Sequence, residues 1–256
     1  MGYLARHLPL KESPELLLPG VKSAIVVSCN YKNTTERAQT GQYKVARYAV
    51  GEDYHLTISR QLENLVQFIQ EVSPEAQSFY GVDSRPIAER SLAIKAGIGF
   101  RGKNTMVIRP KLGSYFFIGV VLTTAELPID APQPGTCGTC TRCIDACPTQ
   151  AISPQGTMNA TACLSYQTIE QKTPMTAEQL SHSEGWIFGC DICQEVCPFN
   201  HFHTPLTTWP EFMPESGIGF DGIRNSVKSN QPISIPKTTS IYRSKKRVIA
   251  NIVSGE

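Results

Sequence analysis

Cys137-x2-Cys140-x2-Cys143-x3-Cys147-Pro148 and, further on, Cys190-x2-Cys193-x3-Cys197-Pro198 are the stretches on which the fold turns. With Cys163 between them, they hold eight of the nine cysteines in 61 of the 256 residues, where an even scatter would place about two. A cubane iron–sulfur cluster needs four thiolates. Two-residue spacing lets a tight turn aim successive sulfurs at one cluster, while the last cysteine of each run points to the neighbouring cluster. Eight cysteines then make two clusters. Cys137, Cys140, Cys143 and Cys197 are expected to hold one, and Cys147, Cys163, Cys190 and Cys193 the other. The usual first member of the second run is displaced to Cys163, so the segment between is an insertion. Structural zinc is the competing use of Cys-x2-Cys pairs, but the x2-x2-x3-Cys-Pro run is far more specific to cubane clusters. Cys29 sits in an apolar strand and reads as a small buried hydrophobe.

Working outward, composition closes several classes. With 41% hydrophobic and 18% charged residues the sequence reads as soluble and globular. Its apolar runs, such as Phe116 to Leu122, fall short of the roughly 18 residues a membrane span needs. The start, Met1 to His7, has neither a secretory apolar stretch nor a lipidation motif, so a cytoplasmic, reducing location is expected, where clustered cysteines serve metals rather than disulfides. Net charge is only +2, yet Gly222 to Val253 carries seven Lys/Arg and no acid.

The first half reads as mixed α/β. Val21–Ser28 is expected as a buried strand after the Pro19-Gly20 turn, and Asn30–Gln42 as a polar surface loop. From Asp53 to Val72, apolar residues at three-to-four spacing place one stripe on a helix. A shorter helix is expected from Pro86 to Ala96, then strands at Thr105–Ile108 and Ser114–Leu122 joined by a turn at Gly113. Three prolines between Pro128 and Gly135 mark a boundary. The expected fold class is α+β. A mixed α/β domain over residues 1–130 precedes a ferredoxin-like domain with two 4Fe-4S clusters over 131–205 and a basic extension over 206–256. That extension is expected to hold little regular structure outside Ile241–Val253. Ala96 to Gly102 resembles a dinucleotide fingerprint but follows a helix, so no Rossmann site is supported. Two clusters move single electrons and do not explain the α/β domain, which needs an acceptor of its own.

Tyr3-Leu4-Ala5-Arg6-His7, Leu17-Leu18-Pro19-Gly20, Ala46-Arg47-Tyr48-Ala49-Val50-Gly51-Glu52-Asp53-Tyr54-His55, Val82-Asp83-Ser84-x-Pro86-x-x-Glu89-Arg90 and Ala96-Gly97-Ile98-Gly99-Phe100-x-Gly102-Lys103-Asn104, with the two cysteine runs, resemble epoxyqueuosine reductases. The resemblance runs from Met1 to about Leu206. It implies a cobalamin beside the two clusters and reduction of epoxyqueuosine to queuosine at the wobble position of a tRNA anticodon, the last step of queuosine biosynthesis. It makes Asp83 the proton donor and turns Tyr54 and His55 toward the substrate. Arg6, Arg47, Asp83, Lys103, Asn104 and Ser165 become cobalamin contacts. The partners implied are the anticodon stem-loop and an external low-potential electron donor, a flavin-based reductase or flavodoxin, acting on a monomer. The family plan has more residues before Tyr3 than this sequence and often C-terminal helical repeats.

Simpler readings stand beside these. Asp83 or Ser84 would cap a helix beginning near Pro86, and His55 would be a surface or capping histidine. Gly97, Gly99 and Gly102 suit either a forced turn or the close approach of a flat ligand. Lys237, Arg243, Lys245, Lys246 and Arg247, with Arg224 and Lys228, suit RNA phosphates or a solvated tail. The other function classes are a corrinoid reductive dehalogenase-like enzyme and a ferredoxin-type electron carrier.

Overall fold

A computed structural model describes residues 2–34, 43–201, 204–214 and 235–254. Helix α1 (Gly2–Glu12) precedes β1 (Ser23–Asn30), the short strand β2 (Lys44–Val45), α2 (Tyr54–Val72), β3 (Ser78–Gly81), α3 (Glu89–Lys95), β4 (Phe100–Arg101), β5 (Val107–Ile108) and β6 (Phe116–Thr123). The cysteine region adds α4 (Arg142–Asp145), α5 (Leu164–Ile169), α6 (Ala177–Ser181), β7 (Trp186–Phe188) and α7 (Ile192–Glu195), and α8 (Lys245–Ser254) follows.

β6 is the axis of the first half. It pairs antiparallel with β1 on one side and β3 on the other. Its sequence is apolar from Phe116 to Leu122 because both faces are covered. Phe117 and Val121 pack with Ile58, Leu62 and Ile69 of α2, while Val120 and Leu122 pack with Leu18 and Ile87, and Phe116 with Ala93 of α3. Each fully buried side chain of this size is worth about 1.5–3 kcal/mol, so this strand anchors the layer. The α2 stripe forms the helix expected of it, with Asp53 outside as its cap.

Three expectations change. The second helix starts at Glu89 rather than Pro86, because residues 82–86 form a turn in which Asp83 takes the left-handed conformation, φ 51°. The strand expected at Thr105–Ile108 is only Val107–Ile108. It pairs with β4 rather than with β6, which takes partners distant in sequence. Residues 235–254 do not form a solvated tail, the simpler reading of the basic stretch, and the regular structure expected at Ile241–Val253 is present as Ser240–Ser244 and α8. β2 and β7 pair in parallel, and Ile241, Val248 and Ile252 close over them with Val45, Ile187 and Phe188. Residues 35–42 of the expected surface loop, and Arg224 and Lys228, lie outside the described residues. Among the described residues no helix is long and apolar enough to cross a membrane.

Candidate functional site

The eight clustered cysteines fall into two groups, and none of the nine is in a disulfide. Cys147, Cys163, Cys190 and Cys193 line one small cavity with Pro148, Ala151, Ile152 and Leu164. Cys143 faces Cys137, Cys197 and Cys140, whose charges raise its thiol pKa behind the larger effect of burial. The first group therefore takes three thiols from the first run and Cys197 from the second, while the second takes Cys190 and Cys193 from the second run, Cys147 from the first and Cys163 from between them. Cys193 also feels Cys143, so the groups are neighbours. Burial pushes the Cys190 thiol up to about 12, so binding iron there must displace a proton. Backbone N–H groups are already aimed at sulfur: Lys103 donates to Cys137 Sγ at 3.4 Å and Ala151 to Cys147 Sγ at 3.3 Å. Such bonds favour thiolate and tune cluster potential. Among the described residues no three metal-ligating side chains converge tightly enough for a single ion. Thiolates around a four-iron cube stand farther apart than around one zinc.

Lys103 and Asn104 serve this region. Lys103 Nζ donates to the carbonyls of Gly138 and Cys140, both at 2.9 Å, and buried Asn104 donates to the Cys193 carbonyl at 3.3 Å. The glycines of the same motif have a packing reason. Gly97 is left-handed at φ 74° with a would-be Cβ 2.5 Å from the Ala131 carbonyl, and at Gly99 it would meet the Ile108 carbonyl at 2.2 Å. Cys29 is buried, and burial pushes its thiol up to about 12, as suits an inert core residue.

The second constellation lies at the start of α2. Asp53 caps the helix by accepting from the His55 backbone N–H at 3.1 Å, and its Oδ1 also lies 2.7 Å from His55 Nδ1. The other ring nitrogen, Nε2, lies 3.3 Å from Asp83 Oδ2. His55 is thus held between two carboxylates. Burial favours its neutral form, but the bonds to Asp53 and Asp83 outweigh burial and raise its pKa. The Asp83 carboxyl is held below its ordinary value chiefly by the bond to His55, with burial opposing and Tyr54 assisting. The proton of this pair therefore rests on the imidazole. The Asp83 side chain is 63% exposed although Tyr54, His55 and Glu89 surround it. Neither Asp83 nor Ser84 is a helix cap: α3 begins at Glu89 without a side-chain cap, and Ser84 Oγ donates to the Val82 carbonyl. Instead the Glu89 carboxylate reaches back to accept the Asp83 N–H. Burial, then the Asp83 charge, pushes Glu89 up to about 7.

Asp53, Glu89 and Arg243 are parts of this site that motif reading did not single out for it. Asp53 ahead of an apolar stripe is a legible cap signal, whereas Arg243 carries none. Arg243, Lys245, Lys246 and Arg247 line one groove with Lys172, and Lys237 is exposed just ahead of it. Of the other positions, Arg6 is exposed on α1 and Ser165 half-buried on α5. The Arg47 backbone N–H donates to buried Asp191 at 2.7 Å and its guanidinium to the Asn33 carbonyl at 2.7 Å, which ties the first half to the second cysteine run.

Comparison with known proteins finds matches over both regions of the chain. Residues 11–84 match the family model Epoxyqueuosine reductase QueG, DUF1730, and residues 136–200 match the 4Fe-4S double cluster binding domain. The epoxyqueuosine reductase of Leadbetterella byssophila is 42% identical over 218 residues, which is 85% of this chain and 71% of the relative. That of Gloeobacter violaceus is 40% identical over 195 residues, 76% of this chain and 61% of the relative. Among solved structures, an epoxyqueuosine reductase from Bacillus subtilis with its catalytic aspartate loop swung out of the active site aligns with TM-score 0.82 and 27% identity, covering 97% of this chain and 68% of that one. Another, with an epoxyqueuosine-modified tRNA stem loop, aligns with TM-score 0.80 and 29% identity, covering 95% and 66%. The chain thus spans 61% to 71% of the length of these relatives. With the matches extending from the α/β half through both cysteine runs, the chain belongs to the epoxyqueuosine reductase family.

Proposed function

We propose that this chain reduces the epoxide of epoxyqueuosine in a tRNA anticodon to the alkene of queuosine, using two 4Fe-4S clusters and cobalamin. The observation that carries the reading is the Asp53–His55–Asp83 contact, which ends in an accessible carboxylate held in a left-handed turn. Removing the epoxide oxygen as water takes two electrons and two protons. Cys137, Cys140, Cys143 and Cys197 would hold one cluster and Cys147, Cys163, Cys190 and Cys193 the other, and clusters of this type move one electron at a time.

The residues fit a corrin on two counts. Arg47 Nε is buried with no partner among the described residues, a donor left for the amide groups that fringe the macrocycle. Asp83 is fixed by Tyr54, His55 and Glu89 while its carboxylate stays open. When bound, cobalamin supplies low-valent cobalt that brings the electrons to the substrate. Arg6, Arg47 and Ser165 would hold it, while Lys103 and Asn104 steady the cluster loops. Tyr54 walls the substrate side by stacking on Phe117, ring centroids 4.3 Å apart. Asp83 relays to the oxygen the proton that rests on His55, so a carboxylate of lowered pKa still acts as donor through its partner.

The tRNA backbone lies along the groove of Lys172, Arg243, Lys245, Lys246 and Arg247, and exposed Lys237 is a further phosphate contact. A relative solved with an epoxyqueuosine-modified tRNA stem loop supports RNA as the partner. The enzyme works as a cytoplasmic monomer fed by a flavin-based reductase or flavodoxin. Asp83→Asn should abolish conversion of epoxyqueuosine-tRNA while iron and cobalamin content stay at wild-type level. Normal conversion by that variant would remove Asp83 from the mechanism.

A further inference from the structure

We propose that Arg243 is a positioning residue of the proton-donating site, a fixed charge that clamps the His55 ring against Asp53 and Asp83. Its Nη2 lies 3.1 Å from His55 Nδ1 and its Nη1 lies 3.5 Å from Nε2, so the guanidinium spans both ring nitrogens. Its Nε is 3.9 Å from Asp53 Oδ2. The backbone that presents it is fastened to the same aspartate. The Asp53 N–H donates to the Thr238 carbonyl at 2.7 Å, and Ser240 Oγ donates to Asp53 Oδ1 at 3.3 Å. Ile241 is fully buried in the core shared with Val45 and Val248, which fixes the short helical segment Ser240–Ser244 in place.

Chemistry limits what such a residue does. A guanidinium neither gives up its proton at ordinary pH nor accepts one, so Arg243 transfers nothing itself. It acts through His55. Two carboxylates would by themselves make the imidazole hold its proton tightly, which suits storage and opposes donation. A cation within hydrogen-bond distance of both ring nitrogens works against them and keeps the proton transferable. The charged groups that face the ring are Asp53 from the cap of α2, Asp83 from the turn after β3 and Arg243. The phenols of Tyr48 and Tyr54 stand beside Asp83, and Glu89 of α3 lies behind it. The inference rests on the reading that His55 and Asp83 supply the proton for epoxide reduction.

The test uses the cluster-loaded protein and compares wild type with Arg243→Gln and Arg243→Lys. One readout is the titration of His55 by NMR with labelled histidine. The other is the pH profile of epoxyqueuosine-tRNA conversion. Removing a charge at this range should raise the His55 midpoint by roughly one pH unit and move the alkaline limb of the profile the same way. Arg243→Lys, which keeps the charge and loses the fork, should recover part of both shifts. If Arg243 only grips tRNA phosphate, Arg243→Gln will raise KM and leave both midpoints in place, and the proposal is overturned. The NMR readout needs no turnover. A protein that never converts epoxyqueuosine but shows the His55 shift defeats the functional reading and keeps the role of Arg243.

Discussion

Replacing Asp53 by Asn separates two jobs that one carboxylate does. As the cap of α2 it accepts the His55 backbone N–H, and as a charge it steadies the imidazolium through Nδ1 at 2.7 Å. Asn caps a helix about as well as Asp, so the first job survives. The second is reduced from a bond to an ion, about 1.5–3 kcal/mol, to a neutral one, about 0.5–1.5 kcal/mol. The difference, roughly 1.4 kcal/mol, corresponds to lowering the His55 pKa by about one unit. His55 has a folded pKa above its unfolded value, so its contribution to stability is complete below about pH 6.5 and is lost as pH rises through the folded value. Asp53 has a lowered pKa despite its burial, because His55 and Arg243 stabilise its charge, so its own contribution fades only toward acid pH, below about 4. The penalty of Asp53→Asn should therefore be larger at pH 5.5 than at pH 8.5 by about 1.4 kcal/mol. Urea unfolding at both values, alongside the NMR titration of His55, measures it. An equal penalty at the two pH values with an unmoved His55 midpoint would refute the charge argument and leave Asp53 as a cap alone.

Further outcomes concern the frame. Ile252→Ala, at a fully buried position against the β2–β7 pair, should cost about 2–4 kcal/mol by thermal unfolding, and a loss under about 0.5 kcal/mol would mean that α8 does not hold the core. Gly113→Ala forces a side chain onto φ 77° and sets its Cβ 2.0 Å from Asn200 Oδ1, so it should lose at least about 1–2 kcal/mol in denaturant titration. Cys29→Ala should retain full iron content, whereas Cys193→Ala should lose iron from one cluster, as read by metal analysis and the visible spectrum.

What could be read beforehand follows the range of each interaction. Cluster-type cysteines declare themselves because turns only two or three residues long must aim the sulfurs, and α2 because one stripe of Ile58, Leu62 and Ile69 must meet one sheet face. The start of α3 is not legible, because Pro86 is a good first-turn residue while the deciding contact is a carboxylate at Glu89 reaching back to a left-handed Asp83. The partner of β5 is not legible either, because β6 is claimed by two strands lying 93 and 38 residues earlier in the chain. The regular structure at Ile241–Val253 is legible because the spacing of Ile241, Val248 and Ile252 marks a buried face, whereas the β2–β7 pair that this face covers has no local signal. The part played by Arg243 had no local signal, since nothing in its own segment names His55.

That separation has a consequence for biosynthesis. His55 and Arg243 lie 188 residues apart in the chain. At the usual pace of translation, about 5–20 residues per second, the helix bearing the histidine waits roughly ten to forty seconds for the arginine that completes its surroundings. The cysteine runs emerge within that interval, before α8 can close over β7. A nascent chain thus passes through a stage in which the thiols are made and the lid of residues 235–254 is not. A ribosome that stalled ahead of residue 235 would leave both cysteine groups translated and His55 without the arginine beside it.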